Sequence, residues 1–400
     1  MPLALAELPG SGARDRRIDL LRGLALLAVF IDHVPGNALH AITLQGNALS
    51  DAADIFVFLA GYSAWIAYTR ASEHGGAWTG TRRLLDRCVR VYAMQVAVIA
   101  TCIAITAAWF QAAGLEPYRL MPLDGATVAR TLVLAAQPTY FDVLPLYVCL
   151  LSVFPLVWAG LRRWPCATVL ASAGKWLVVN LDRSLNLPEW LSQGRWSFNP
   201  LEWQFLFVLG AAAAAASASQ QSPLRRQPWI TAACWIFLIE AWIRIWCVDW
   251  PPPSVSGLCL DEAATTIPHL LRLLSGLSVM YLVLTSERFD RLAGSGRLIG
   301  IETCGRHSLA IFGLGSVLSL VGRLTFSTAG DGLLVQAAVN GIGLLTLVAA
   351  AAMLERKRQG WRTMQAAFSH QVQPNRFARL AAQLAISRAK TPSPASSLFR

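Results

Sequence analysis

Charged side chains are scarce in this chain. Lysine, arginine, aspartate and glutamate make up only 14% of its 400 residues, whereas 55% of the residues are hydrophobic. Soluble globular domains carry about 25% charged residues, so this composition excludes an ordinary soluble domain. The sequence therefore predicts a polytopic membrane protein that has the lipid bilayer as its partner.

Motifs for metal, nucleotide and hydrolase chemistry are missing as well. The eight cysteines form no C-x-x-C pair, and the six histidines are scattered without the spacing of metal ligands. The chain contains no P-loop, no dinucleotide-binding glycine motif and no G-x-S-x-G sequence. We predict no metal site and no ATP site, and we interpret the cysteines as small buried apolar residues.

The net charge of +11 has a topological explanation. Basic residues fall in short clusters between apolar segments, which is the pattern of the positive-inside rule and argues against a nucleic-acid partner. These clusters alternate with loops that are poor in lysine and arginine, so both termini are predicted to face the cytoplasm. The clusters lie at residues 14–17, 70–90, 162–163, 225–226, 288–306 and 356–358.

Ten apolar segments are long enough to cross a bilayer, which takes about 17 to 25 residues. The predicted fold is all-α, with about ten transmembrane helices in a domain of residues 1–354. Residues 355–400 form a basic cytoplasmic tail, either largely disordered or containing a membrane-surface helix near 376–388. The predicted spans lie near 18–34, 51–69, 88–110, 141–161, 166–181, 202–219, 229–248, 267–285, 306–322 and 332–354.

The first predicted span carries Arg22 near one end and His33 at the other. The eleven-residue separation places them within roughly 20° of one helix face and about 16 Å apart. Histidine exchanges protons near neutral pH, so His33 is the candidate general base. Two plainer interpretations remain: His33 is a hydrogen-bonded core residue, and Arg22 extends to the membrane surface.

The second span begins with Asp51 and Asp54, on the side of the membrane where we place His33. Either carboxylate would orient the imidazole or receive its charge, so both are candidate catalytic residues. The alternative is structural, because aspartate is a good helix cap and a favourable residue in a first helical turn.

Two further groups of residues suit ligand binding. Arg87 and Arg90 lie one helical turn apart, where they would grip a phosphate together, although topology alone explains most of this basic cluster. The segment 196–204 combines amide, indole and carboxylate groups suited to sugar hydroxyls, and an interfacial turn is its alternative. Its candidate substrate-binding residues are Asn199, Glu202, Trp203 and Gln204.

At these residues the chain resembles the OpgC family, a branch of the membrane acyltransferase 3 superfamily. The arginine, ten residues, histidine spacing of Arg22 and His33 and the pair Arg87-x-x-Arg90 also resemble that superfamily. One departure is Ala60, where the family stretch suggests serine. The similar stretches are residues 14–23, 32–33, 50–61 (SDAADIFVFLAG), 141–147, 196–204 (WSFNPLEWQ) and 305–312.

The resemblance implies a multi-pass protein of the bacterial inner membrane that succinylates osmoregulated periplasmic glucans. By that resemblance His33 is the catalytic histidine, and Arg22, Arg87 and Arg90 hold an acyl-coenzyme A such as succinyl- or acetyl-coenzyme A. The acceptor is a periplasmic glucan or another envelope glycan.

Several alternatives stay open at this point. His33 acts as a general base or forms an acyl-histidine. A succinyl group would need a cation near the reaction centre, for which Arg195 and Arg244 are weak candidates. The rival function is a transporter or flippase of envelope saccharides without acyl chemistry, and a membrane scaffold is a third interpretation.

Overall fold

The computed structural model describes residues 15–113, 121–188, 190, 195–218, 226–247 and 266–371. This described part contains fourteen α-helices and one short 3-10 helix, and within it only an isolated bridge between Pro188 and Arg195 has β geometry. The all-α prediction is therefore confirmed.

The first helix, α1 (Arg16–Asp32), follows the apolar run of the first predicted span. Its N-cap is Asp15, whose carboxylate accepts a hydrogen bond from the backbone N–H of Arg17, as expected of an aspartate cap. The helix ends at Asp32, and His33 caps it: the backbone N–H of His33 still bonds to the carbonyl of Val29 at 3.0 Å. The C-terminal end of α1 therefore fixes the backbone position of His33.

The short elements after α1 lead into the longest helix of the chain. A 3-10 helix (Ala38–Ile42) and α2 (Leu44–Asn47) connect α1 to α3 (Ala52–Ala113). Two successive glycines, Gly75 and Gly76, break α3 into two arms, and Gly76 has a positive φ of 77° that only glycine adopts without strain. The break lies between two predicted spans.

The remaining helices follow in chain order. Two pairs are sharply bent: α5 with α6 by 50°, and α10 with α11 by 63°. The helices are α4 (Gly125–Leu132), α5 (Val143–Ser152), α6 (Phe154–Arg163), α7 (Pro165–Leu181), α8 (Pro200–Ala218), α9 (Pro228–Cys247), α10 (Thr266–Leu284), α11 (Glu287–Gly294), α12 (Ile299–Arg306), α13 (Ser308–Ala329) and α14 (Leu333–Gln371).

Glycines allow two helix pairs to cross with their backbones in contact. At the crossing of α3 and α8, a Cβ on Gly61 would lie 1.9 Å from the carbonyl oxygen of Phe207, and one on Gly210 would clash equally with α3. At the crossing of α1 and α12, Gly23 and Gly305 have the same role. Small residues at helix crossings are typical of membrane bundles, and here they fix the positions of α1 and α3.

The number of membrane spans is confirmed only in part. Among the described residues, five helices are long and apolar enough to cross a membrane, or seven when each bent pair counts as one span. This count treats the two arms of α3 as one helix. It also leaves out α1 and α7, which have only 17 residues each. The ten spans and the orientation of the termini stay predictions.

The chain divides into two units, residues 1–351 and 352–400. In the second unit, α14 continues as far as Gln371, and Arg358 donates a hydrogen bond of 3.0 Å to Glu355. The predicted surface helix near 376–388 lies outside the described residues.

Candidate functional site

A pocket lies at the C-terminal end of α1, where His33 and Asp51 face a common space. The end of α1, the start of α3, the segment before α8 and helix α13 contribute its walls. Aromatic side chains form its apolar part. The main lining residues are Asp32, His33, Gln45, Asp51, Phe56, Phe198 and Phe312.

His33 contributes an imidazole nitrogen that the fold leaves unsatisfied. Its Nδ1 atom is buried, and no described residue forms a hydrogen bond with it. Its ring packs against the ring of Tyr140, with 4.8 Å between centroids and 45° between planes. Because buried polar atoms in folded proteins are nearly always hydrogen-bonded, the unpaired Nδ1 indicates a ligand site.

Tyr140 and Arg323 extend this arrangement, and the sequence analysis selected neither. Tyr140 has a φ of +73°, the left-handed conformation that costs a non-glycine residue about 1–3 kcal/mol. The guanidinium carbon of Arg323, on α13, lies 4.5 Å from the centroid of the Tyr140 ring. The strained backbone thus places one aromatic ring in contact with both the cation and His33.

The predicted carboxylates Asp51 and Asp54 are held by an arginine from α10. Arg272 bonds to Asp51 at 2.9 Å and to Asp54 at 3.2 Å. The same aspartates cap α3: Asp51 accepts from the N–H of Ala53 at 2.8 Å, and Asp54 accepts from the N–H of Asp51 at 2.9 Å. Both carboxylates therefore have the capping contacts of the structural interpretation and an ion pair in addition.

Neither aspartate forms a described hydrogen bond with His33, although Asp51 lines the same pocket. Asp32, next to His33 in sequence, is also engaged elsewhere. It accepts a hydrogen bond from Thr43 Oγ1 at 2.7 Å and pairs with His40 Nδ1 at 3.0 Å. The pocket therefore brings acids near His33 without coupling any of them directly to its ring.

Two of the four residues predicted to bind substrate, Glu202 and Trp203, contact residues of α10 near the ion pairs of Arg272. Glu202 pairs with His269 Nδ1 at 2.8 Å, and His269 Nε2 is a second buried imidazole nitrogen without a partner in the described part of the chain. The Trp203 ring lies beneath the guanidinium of Arg272, at 4.9 Å, and also packs against Phe198, which lines the His33 pocket. Carboxylate, indole and imidazole groups thus meet at one end of α8.

The other two residues of that segment hold the fold together. Asn199 accepts a hydrogen bond from the N–H of Leu201 at 3.0 Å and donates one to the carbonyl of Leu185 at 2.8 Å, at the start of α8. Gln204 accepts from Ser172 Oγ at 2.6 Å and donates to the carbonyl of the same serine at 3.0 Å. Their amide groups are therefore engaged within the protein.

The predicted phosphate-binding arginines lie apart from this pocket. Arg22 donates to the carbonyl of Leu59 at 3.0 Å and to Ser63 Oγ, so it bridges α1 to the first arm of α3. Arg87 donates a hydrogen bond to the Tyr147 hydroxyl, and its guanidinium carbon lies 5.4 Å from the centroid of the Tyr147 ring. Arg90 is exposed. Because α1 is helical from Arg16 to Asp32, the predicted separation of about 16 Å between Arg22 and His33 follows from the helix rise.

A second charged cluster lies at the N-terminal end of α1. Glu302 of α12 is almost fully buried, at 2% exposure, and accepts hydrogen bonds from Arg16, at 2.8 Å, and from Arg306. Burial raises the pKa of Glu302, but these hydrogen bonds outweigh it, so the pKa lies below its usual value of 4.5. Asp19 lies 3.9 Å from Arg306, and Arg17 pairs with Asp290 at 3.0 Å.

No group of three or more histidine, cysteine, aspartate or glutamate side chains is placed to hold a metal ion within the described ranges.

The comparison with protein families identifies a match over most of the chain. The family described as OpgC protein matches residues 14–359, which includes every helix discussed above except the end of α14. No curated protein matches the chain. The resemblance seen at the level of motifs therefore extends over most of the sequence.

Proposed function

The chain belongs to the OpgC family, which implies a membrane-associated acyltransferase type of activity, and we propose that it is an integral-membrane O-acyltransferase. It moves an acyl group, succinyl in this proposal, from cytoplasmic acyl-coenzyme A to a periplasmic glucan or another glycan of the cell envelope. The proposed location is the bacterial inner membrane.

The proposed topology has ten spans with both termini in the cytoplasm. The two arms of α3, divided at Gly75 and Gly76, count as two spans. The 17-residue helices α1 and α7 count as one span each, at the lower limit of the length that crosses a bilayer. In this orientation the N-terminal end of α1 is cytoplasmic and His33 faces the periplasmic side.

One observation carries the proposal: the unsatisfied Nδ1 of His33 lies in a pocket at the end of the helix that also carries Arg22. The separation of about 16 Å along α1 is comparable to the length of a pantetheine arm. A donor anchored by its phosphates near Arg22 would therefore reach His33 with its thioester.

In the proposed reaction, His33 accepts the proton of an acceptor hydroxyl group at Nδ1. The hydroxyl oxygen attacks the thioester carbonyl, a new C–O ester bond forms and the C–S bond breaks. The thiolate then takes the proton from the imidazolium and leaves as the coenzyme A thiol. An acyl-histidine intermediate is the alternative route, with the acyl group passing first to the ring nitrogen.

Donor and acceptor occupy different ends of the bundle in this proposal. Arg22, Arg87 and Arg90 hold the phosphates of acyl-coenzyme A. Glu202 and Trp203 contact the glycan, since carboxylate and indole groups suit sugar hydroxyls and sugar faces. Asn199 and Gln204 then act by fixing the start of α8, because their amides are engaged within the protein. Asp51 and Asp54 act as positioning residues, because their ion pairs with Arg272 fix the start of α3 beside His33.

A transporter or flippase of envelope saccharides is the second candidate. The partly buried ion pairs of Arg272 with Asp51 and Asp54 favour it, because charges inside membrane helices also serve substrate passage. Such a protein would move glycans without any dependence on acyl-coenzyme A.

Mass spectrometry of envelope glycans separates the two candidates. Cells carrying the intact protein, a deletion, His33→Ala or the control His74→Ala are compared at equal protein level; His74 is an exposed histidine bonded to the carbonyl of Arg70. We expect an ester-linked acyl mass increment with the intact protein and with His74→Ala, and its loss in the other two. A deletion that changes glycan amount without changing acylation would favour the transporter.

A further inference from the structure

A second cavity, of about 340 Å³, lies between α9, α10 and α11. Three arginines line it: Arg226 before α9, and Arg288 and Arg291 on α11. Glu287 is the one acidic residue among its lining residues. The volume falls in the range of small-molecule pockets, roughly 300 to 1,000 Å³, and the lining carries a formal charge of +2 from these four side chains.

The three cavity arginines differ from other arginines at this end of the protein. Arg16, Arg17 and Arg306 all form ion pairs with carboxylates. By contrast, no hydrogen bond or ion pair from the side chain of Arg226, Arg288 or Arg291 is present among the described residues. Three guanidinium groups around one space repel each other, and an anion bound between them would remove that repulsion.

Hydroxyl groups and the start of α11 add to the anion preference of the cavity. Thr285 and Ser286 line it just before α11, and Ser286 caps that helix by accepting from the N–H of Phe289 at 3.2 Å. The N-terminus of a helix carries a partial positive charge. The polar part of the lining therefore carries an excess of positive charge, with Glu287 as its one negative group.

The cavity also has an apolar part. It is formed by Trp235 of α9, which is 54% exposed, and Leu282 of α10. Only 6% of the α9 candidate span is buried within the protein, so this part continues into a surface suited to hydrocarbon or to a flat ring. A ligand for this space combines anionic groups at one end with an apolar or aromatic part at the other.

We propose that this cavity is a binding site for a phosphate ester. Its phosphate oxygens accept hydrogen bonds from Arg226, Arg288 and Arg291, and its apolar part rests on Trp235. Two sources supply this chemistry: the headgroup of an anionic phospholipid, or the phosphorylated nucleotide end of a coenzyme. A lipid site is independent of the reaction proposed above. A coenzyme site rests on that reaction and would place the nucleotide end of the donor in this cavity instead of at Arg22, Arg87 and Arg90.

Binding measurements on the full-length purified protein test the proposal with two probes. Adenosine 3′,5′-bisphosphate is titrated by calorimetry, and phosphatidylglycerol is compared with phosphatidylcholine by native mass spectrometry from nanodiscs. The test variant is the double substitution Arg288→Gln and Arg291→Gln. The matched control is Arg297→Gln, which removes an exposed arginine from the same surface but outside the cavity.

We expect one probe to bind the intact protein and the control equally, and to bind the double variant at least about ten-fold more weakly, because the variant loses two of the three charged hydrogen-bond donors. Glu287→Gln should strengthen the binding of the same probe, because it removes the one negative charge from the cavity lining. Loss confined to the nucleotide identifies a coenzyme site, and loss confined to phosphatidylglycerol identifies a lipid site. Binding of neither probe, or equal weakening in the control, overturns the proposal.

Discussion

The two ends of α1 differ in whether their buried polar groups have hydrogen-bond partners. At the N-terminal end, Glu302 is surrounded by Arg16 and Arg306, so that the acid and its partners satisfy one another. At the C-terminal end, His33 Nδ1 and His269 Nε2 are buried without hydrogen-bond partners among the described residues. Buried polar atoms are rarely left unsatisfied, so the first end is built for stability and the second for a ligand.

The C-terminal end nevertheless contains strong ion pairs, and these define its structural part. Arg272 binds both Asp51 and Asp54, and its guanidinium lies 4.9 Å from the centroid of Trp203. The site therefore has two parts. One is a frame of ion pairs, formed by Arg272 with Asp51 and Asp54. The other is the pair of imidazoles of His33 and His269, each with one unpaired nitrogen. Substitutions in the frame should affect folding, and those at the imidazoles should affect chemistry.

The largest effect on stability is expected when the frame loses its central cation. Arg272→Met leaves the buried carboxylate of Asp54 and the partly buried one of Asp51 without their ion pair, which costs about 3–5 kcal/mol. The thermal unfolding midpoint of the purified protein should fall sharply, and Arg272→Lys should restore part of it. An unchanged midpoint for Arg272→Met would show that this frame does not hold the site.

Glu302→Gln tests the saturated end, and we expect it to lower stability while leaving transfer per folded molecule unchanged. Because the folded pKa of Glu302 lies below 4.5, its stabilising contribution is complete above that pH and is lost as the pH falls through the folded value. The difference in unfolding midpoint between the intact protein and Glu302→Gln should therefore shrink on acidification from pH 6 to below pH 4. A difference that grows on acidification would contradict this assignment.

Tyr140 offers a smaller and more selective effect. Tyr140→Ala removes the ring that packs on His33, and an aromatic contact contributes about 0.5–1.5 kcal/mol, so kcat should fall about two- to ten-fold. Tyr140→Phe keeps the ring and should retain most of the activity. Equal losses in both variants would assign the effect to the hydroxyl group instead of the ring contact.

The smallest effect is expected at Arg90. Because this side chain is exposed, Arg90→Gln should raise KM for acyl-coenzyme A only about two- to three-fold, as for a solvent-screened ion pair, with kcat unchanged. Arg83→Gln, which removes another exposed arginine of the same cluster, is the control. A fall in kcat would place Arg90 near the chemistry and not at the donor phosphates.

The sequence predicted those parts of the site that lie within one helix or at its start. The separation of Arg22 and His33 follows from helical rise, and the positions of Asp51 and Asp54 follow from a cap before an apolar run. The partner Arg272 lies 218 residues beyond Asp54, and no local pattern predicts which helix meets which. One signal was present, because Arg272 and His269 are polar residues inside a predicted span.

Tyr140 and the amides of Asn199 and Gln204 show the opposite limit. Tyr140 has a positive φ. The sequence does not indicate this conformation, because the residue is neither glycine nor asparagine, the types that usually adopt it. From the sequence alone, an asparagine that caps a helix or a glutamine that bonds to a neighbouring helix cannot be told apart from a sugar-binding residue. Their roles depend on Leu185 and Ser172, which tertiary packing brings close.

The most direct test of the central claim is the rate of acyl transfer by purified protein. Intact protein, His33→Ala and His74→Ala are supplied with acyl-coenzyme A and glucan at matched amounts of folded protein. Loss of a general base lowers a rate by about 10²–10⁴-fold, so we predict that loss for His33→Ala and an unchanged rate for His74→Ala. Equal rates in all three proteins would contradict the assignment of His33 as the catalytic base.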